Sequence, residues 1–379
     1  MTRVDAAGPP RAAVAQWPAA AAPTLMIPGP SSLRDEDLAV LSAGIVPHYG
    51  SVWVRQHAHA LALLQDVLGT ATPPYLLPGT GTTALDAAVG NFFRPGATVV
   101  VPDTGYFGQR LAAIARAHGL AVRDVPVALG QPVDPDRVAA AAGGADGILT
   151  VHVESATGVR HPVQAIARVA AEAGAVCVVD GVASAGGEDV DVGGMGIDVF
   201  VTASQKGLEG PPGLGIVALG ARGRERLAER AWQPPTWHLD LRTWERCRVE
   251  DAAWEPHPVT MPTNLVLALS ASLRRIRAVG VPTWVDRRRR LARELRGGLQ
   301  ELGLPPIADP SAASHLVVAA WAEDAPALVR RVLATEGIAI TTGLGPLGDR
   351  VIRIGLLGRT ASPYWVDRLL GGLRLALRV

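Results

Sequence analysis

The chain has 379 residues, enough for two or three domains at about 150 residues each. Charged residues make up 19% and hydrophobic residues 48%, which supports a large core and excludes a disordered chain. With 36 Lys+Arg against 35 Asp+Glu the formal net charge is +1, so neither a nucleic-acid partner nor an acidic membrane surface is expected. Two cysteines, Cys177 and Cys247, are too few for a disulfide framework or a four-cysteine zinc site. A reducing cytoplasm is the expected compartment.

Residues 1–23 are rich in Ala and Pro and read as a loose tail. The longest uncharged run, between Arg11 and Arg34, carries Pro18, Pro23, Pro28 and Pro30 and makes a poor membrane helix. From about residue 75, apolar strands alternate with amphipathic helices. Strands are expected at Ala97–Pro102, Leu120–Val125, Gly147–Val153, Ala175–Asp180, Asp198–Thr202 and Leu214–Leu219. Helices fall between them at Tyr106–His118, Pro135–Ala142 and Val163–Ala173. The strands are continuously apolar, as in a sheet covered on both faces, and the alternation predicts a mostly parallel α/β sheet.

Ala231–Pro262 breaks this pattern. It holds Trp232, Trp237, Trp244 and Trp254 among five prolines and reads as a long irregular excursion suited to a subunit contact. Helices resume at Thr263–Val279 and Thr283–Leu302. A second α/β unit follows, with strands His315–Ala320, Ile338–Thr342 and Val351–Gly355 and helices Ala325–Thr335 and Pro363–Leu377. A large domain over 24–280 and a smaller one over 281–379 are expected. The basic run Arg287–Arg290 lies among Asp286 and Glu294 and reads as a solvated helix face.

One residue stands apart. Lys206 is the single lysine among 36 basic residues. Where coding bias has turned surface lysines into arginine, a surviving lysine points to chemistry that guanidinium cannot do, namely deprotonating and attacking a carbonyl. Lys206 follows the strand expected at Asp198–Thr202, inside Ser204-Gln205-Lys206. Asp180 ends a neighbouring apolar strand, where α/β proteins bind ligands. Gly79-Thr-Gly-Thr-Thr-Ala84 opens a helix, whose free N–H groups and dipole suit a phosphate. Taken alone, that loop also fits a dinucleotide site with Asp103 as the ribose acid, or a plain capped turn. Together, the lysine, the carboxylate and the glycine–helix cradle meet the requirements of pyridoxal phosphate. His57 and His59 are two apart on a helix and face different ways. His152 and Glu154 have no further ligands nearby, so no metal site is expected.

Over residues 26–379 the sequence resembles the class V, fold-type-I aminotransferases, most closely the alanine–glyoxylate and serine–pyruvate branch. The shared motifs, in order, are Pro28-Gly-Pro-Ser31, GTGTTALD (79–86), TGYFGQR (104–110), HVESATGV (152–159), VVDGVASAGG (178–187), SQKGLEGPPGLG (204–215), TGLGP (342–346) and VIRIGLLG (351–358). The resemblance implies a homodimer with active sites at the interface, using pyridoxal 5'-phosphate on a mostly parallel seven-stranded sheet. It implies transfer of an amino group from an alanine- or serine-like amino acid to a glyoxylate- or pyruvate-like 2-oxo acid.

By the same resemblance Lys206 would carry the cofactor and Asp180 would pair with its ring nitrogen. Gly81, Thr82 and Gln205 would hold the phosphate. Phe107, where the family usually has tryptophan, would stack on the ring, and Ser155 and Val182 would line it. Arg353 would bind the substrate carboxylate. His257 and Thr260 match a Tyr-x-x-Thr segment through which the neighbouring subunit reaches the phosphate. Histidine replaces the tyrosine there, and a phosphate beside it would raise its pKa. Arg359 replaces a small or neutral residue. Cysteine desulfuration is disfavoured, since neither cysteine lies in a C-terminal loop. A specialised biosynthetic substrate on the same fold, or a nicotinamide-dependent dehydrogenase, are the alternatives.

Overall fold

The computed structural model describes residues 22–378. Most of the expected tail lies outside the described residues. Seven strands form the main sheet in the order Tyr75–Pro78, Leu214–Leu219, Val199–Ala203, Val176–Asp180, Gly147–Val151, Thr98–Asp103 and Ala121–Pro126. The five from Val199–Ala203 to Ala121–Pro126 run parallel. Leu214–Leu219 is antiparallel to both its neighbours. Every residue of Gly147–Val151, Val176–Asp180, Val199–Ala203 and Leu214–Leu219 is buried, the signature of a sheet with helices on both faces.

A smaller unit is built on an antiparallel sheet ordered Val317–Trp321, Val351–Gly355, Thr341–Thr342. Helices Ala325–Glu336 and Pro363–Ala376 cover it. The expected single strand Ile338–Thr342 is two short ones, Ile338–Ala339 and Thr341–Thr342. The helix Val281–Glu301 spans both cores: Trp284 packs into the large one, and Leu291, Leu295 and Leu299 into the small one.

Residues 24–26 pack with the small unit: Thr24–Leu25 pairs with Ile338–Ala339 and Met26 is fully buried in the small core. Two expectations need correction. The Trp-rich excursion contains a helix, Leu241–Glu250, with Asp240 capping its N-terminus at Arg242 N (3.0 Å). Trp244 of that helix is buried, while Trp237 and Trp254 stay exposed. Finally, the run Arg287–Arg290 is not wholly solvated. Arg288 is buried, bonds Glu209 and lies 3.7 Å over the Trp284 ring. Among the described residues no helix is long and apolar enough to cross a membrane.

Candidate active site

Parallel pairing of Val176–Asp180 with Val199–Ala203, in register Asp180↔Val201, brings Asp180 and the turn Ser204–Lys206 to one edge of the sheet. The helix Gly81–Phe92 begins at the same edge. Thr80 caps it by accepting from Thr83 N (3.4 Å), which leaves the N–H groups of Gly81 and Thr82 beyond reach of any helical carbonyl. A cavity of about 310 Å³ lies between these elements. Its walls include Gly81, Thr82, Phe107, Ser155, Asp180, Val182, Gln205 and Lys206, all expected from the sequence.

Asp180 is buried and accepts from Val182 N (2.9 Å). Burial pushes its pKa up to about 6, against the opposing pull of the Val182 N–H, Lys206 and Arg110. Burial likewise brings Lys206 down to about 8, helped by the Arg353 charge. A lysine so placed keeps a substantial neutral fraction near neutral pH, which a nucleophile or base needs. Lys206 Nζ donates to the Pro28 carbonyl, and Ser31 N donates to Gln205 O (2.8 Å). The segment Pro28–Ser31 is thus the backing of the lysine turn.

Gly29 explains why that backing is so close. It has φ +121°, and a Cβ there would lie 2.5 Å from Lys206 Cδ and 2.7 Å from Nζ. Gly29→Ala is expected to displace the lysine and add about 1–2 kcal/mol of backbone strain. Uptake of pyridoxal phosphate by the variant should slow at least tenfold, with a modest fall in melting temperature. Unchanged uptake would show that Lys206 does not work from this position.

Arg353 is buried on the strand Val351–Gly355. Its Nε donates to Thr342 O (2.8 Å) and its Nη1 to Ser155 O (3.3 Å). Nη2 and the second hydrogen of Nη1 remain for an end-on fork to a carboxylate. Sequence reasoning missed Arg110. It lines the cavity one turn after Phe107, with its guanidinium 4.7 Å from that ring. Helical spacing from Phe107 was the available signal.

His257 and Thr260 do not line the cavity of their own chain. Thr260 is exposed. His257 is buried, and its Nε2 accepts from Trp53 Nε1 (2.8 Å), with the His57 ring 5.4 Å away. Burial lowers its pKa, so the expected rise is reversed within the chain. Asp103 is outside the cavity too and accepts from Gln109 Nε2 (3.1 Å), which leaves the dinucleotide reading without its ribose acid. Arg359 is exposed and bonds Ser32 Oγ (3.2 Å).

The cavity fits pyridoxal phosphate. A Cβ on Gly81 would stand 2.5 Å from Val182 Cγ2, so the helix N-terminus there is bare backbone, as a phosphate cradle would require. The buried Gln205 Oε1 has no partner among the described residues, leaving its amide available to a ligand. The fold is that of the fold-type-I transferases. The chain belongs to the class-V aminotransferase family, whose model matches residues 53–351.

Among similar proteins, the L-aspartate–glyoxylate aminotransferase of Paracoccus denitrificans is 32% identical over 88% of this chain and 86% of its own. A Synechococcus protein described as the small subunit of a soluble hydrogenase is also 32% identical, over 88% of each chain. The crystal structure of alanine–glyoxylate aminotransferase from Nostoc superposes with a TM-score of 0.89 at 28% identity, covering 94% of this chain and 96% of that one. The family implies pyridoxal phosphate as cofactor, and the protein is an aminotransferase.

Proposed function

We propose that the protein transfers an amino group from a small amino acid of the alanine or serine kind to a glyoxylate- or pyruvate-like 2-oxo acid, in two half-reactions at one site. One observation carries this reading: Lys206 and Asp180 face a single cavity closed by the bare helix N-terminus at Gly81. Gly81, Thr82 and Gln205 would hold the phosphate, Phe107 would cover the ring, and Val182 and Ser155 would flank it. When bound, pyridoxal phosphate supplies an electron sink for the negative charge that develops at the substrate Cα.

The chain's own residues do the rest. Asp180 would keep a proton on the ring nitrogen. Lys206 Nζ, once released by the incoming amine, would take the Cα proton and return it on the far side of the substrate nitrogen, at the cofactor's aldehyde-derived carbon. Arg353 would hold the substrate carboxylate and so fix which Cα bond is presented. The second half-reaction would use the same groups in reverse, giving ping-pong kinetics.

A homodimer is part of the proposal. Ile45, Val52 and Trp254 are 89%, 64% and 60% exposed, and Tyr49 stacks on Trp254 at 5.3 Å. An apolar patch of this kind beside the segment leading to Thr260 supports a second copy seated there, with Thr260 reaching its phosphate.

Arg110 favours a second reading, in which the donor is dicarboxylic. It is a cation in the cavity wall, able to meet a side-chain carboxylate while Arg353, bonded to the wall residue Ser155, would hold the first. A half-reaction screen following the cofactor's visible band against alanine, serine, glycine, aspartate and glutamate decides between the two. Faster reaction of alanine and serine supports the first reading; a preference for aspartate that Arg110→Gln removes supports the second. Reaction with none of them overturns both.

For either donor, Arg353→Lys is expected to raise the amino-acid KM about tenfold. A point charge cannot reproduce the fork, and one charge-assisted bond is worth ~1.5 kcal/mol or more. Amines without a carboxylate should lose little. Equal losses for both would remove Arg353 from the substrate site.

A further inference from the structure

Glu154 is a buried carboxylate to which the reading above assigns no task. It ends the short strand Val153–Glu154 and is 0% exposed. Four donors converge on it. Oε2 accepts from Phe107 N (2.9 Å), Gly108 N (3.3 Å) and Thr104 Oγ1 (3.3 Å), and Oε1 accepts from Ala156 N (3.0 Å). Phe107 and Gly108 lie in the first turn of the helix Tyr106–Ala117. The N-cap of that helix is Gly105, which has no side chain to serve it. Glu154 therefore supplies from another strand the cap the helix lacks; burial raises its pKa to about 7, against the pull of the N–H groups it accepts from.

This helix presents Phe107 and Arg110 to the cavity. On its other side Glu154 holds Ala156 N, next to Ser155, whose carbonyl takes the Arg353 bond. One side chain ties the aromatic wall of the cavity to the turn that anchors the substrate-binding guanidinium.

We infer that Glu154 is a positioning residue, whose carboxylate fixes the Phe107 ring at the height where it covers the cofactor. The inference rests on the cofactor reading above. Its physical basis is that three backbone N–H groups, on both carboxylate oxygens, point at the carboxylate and can only donate, with the Thr104 hydroxyl as a fourth partner. A glutamine has one acceptor oxygen, so whichever side receives it, the NH2 meets an N–H on the other. The first turn of the helix, or the Ala156 turn, must then let go.

The test is a double-mutant cycle on cofactor affinity, using wild type, Glu154→Gln, Phe107→Ala and the double variant. Pyridoxal phosphate is titrated into the cofactor-free proteins and its dissociation constant read from absorbance. Each single change is expected to weaken binding by about tenfold. If Glu154 acts through Phe107, the double variant binds within twofold of Phe107→Ala alone. Losses that multiply overturn the inference, because they show that Glu154 does not work through the ring. Should circular dichroism show Glu154→Gln to be unfolded, the cycle is run with Glu154→Asp and judged by the same two outcomes. Wild-type protein that takes up no pyridoxal phosphate overturns the cofactor reading itself, and this inference with it.

Discussion

Lys206→Ala is expected to abolish turnover, by ~10⁴-fold or more, in a protein that still folds. On the proposed function the lysine would be at once the cofactor's covalent partner and the proton carrier, and general-base roles alone are worth about 10²–10⁴-fold. The fold should survive because Nζ makes a single hydrogen bond, to Pro28 O. Borohydride treatment of the loaded wild type should yield one pyridoxyl peptide, containing residue 206, since the chain has no second lysine.

The same residue sets a pH dependence. Only the neutral amine attacks an aldehyde, and burial brings the Lys206 pKa down to about 8. The rate at which cofactor-free protein takes up pyridoxal phosphate should climb about tenfold per pH unit below 8 and level off above it. An ordinary lysine would keep climbing to about pH 10.4. A climb past pH 10 would place Lys206 in solvent, and turnover by Lys206→Ala without added amine would remove it from the mechanism.

Asp180→Asn is the second large effect, an expected loss of about 10²–10³-fold in kcat. Asparagine fills the same space and can still accept from Val182 N, so the turn is kept while the charge is lost. A buried charged partner removed in this way costs about 2–5 kcal/mol, and each ~1.4 kcal/mol is tenfold. The wild type should also lose activity as pH falls through about 6, where the raised Asp180 pKa lets the carboxylate take up a proton. That acid limb should be missing from the asparagine variant. Kinetics between pH 5 and 9 check both statements. Activity within threefold of wild type would reduce Asp180 to a turn cap.

Much of this protein was legible in its sequence because the signals were local. Leu214–Leu219, Val351–Gly355, Pro135–Ala142 and Thr263–Val279 begin and end where expected. In each the apolar period breaks at a turn residue or a cap, such as Asp134 at the start of Pro135–Ala142. Lys206 was legible for another reason: a lone lysine in an arginine-rich chain is a compositional signal that needs no fold. Parallel strand–helix alternation then put Asp180 and Lys206 on one sheet edge.

What the tertiary structure alone decided depends on partners far apart in the chain. Thr24–Leu25 joins the small unit because its backbone completes a ladder with Ile338–Ala339, and two residues of sequence carry no trace of that. Burial of Arg288 follows from meeting Glu209, and that of His257 from meeting Trp53, 204 residues away. Glu154 looked like half of a weak metal pair until the fold set it at the mouth of a helix 47 residues upstream. Periodicity reports which face of an element is apolar. It cannot report which polar group a buried carboxylate or imidazole will find there, because that partner arrives only when distant elements close on one another.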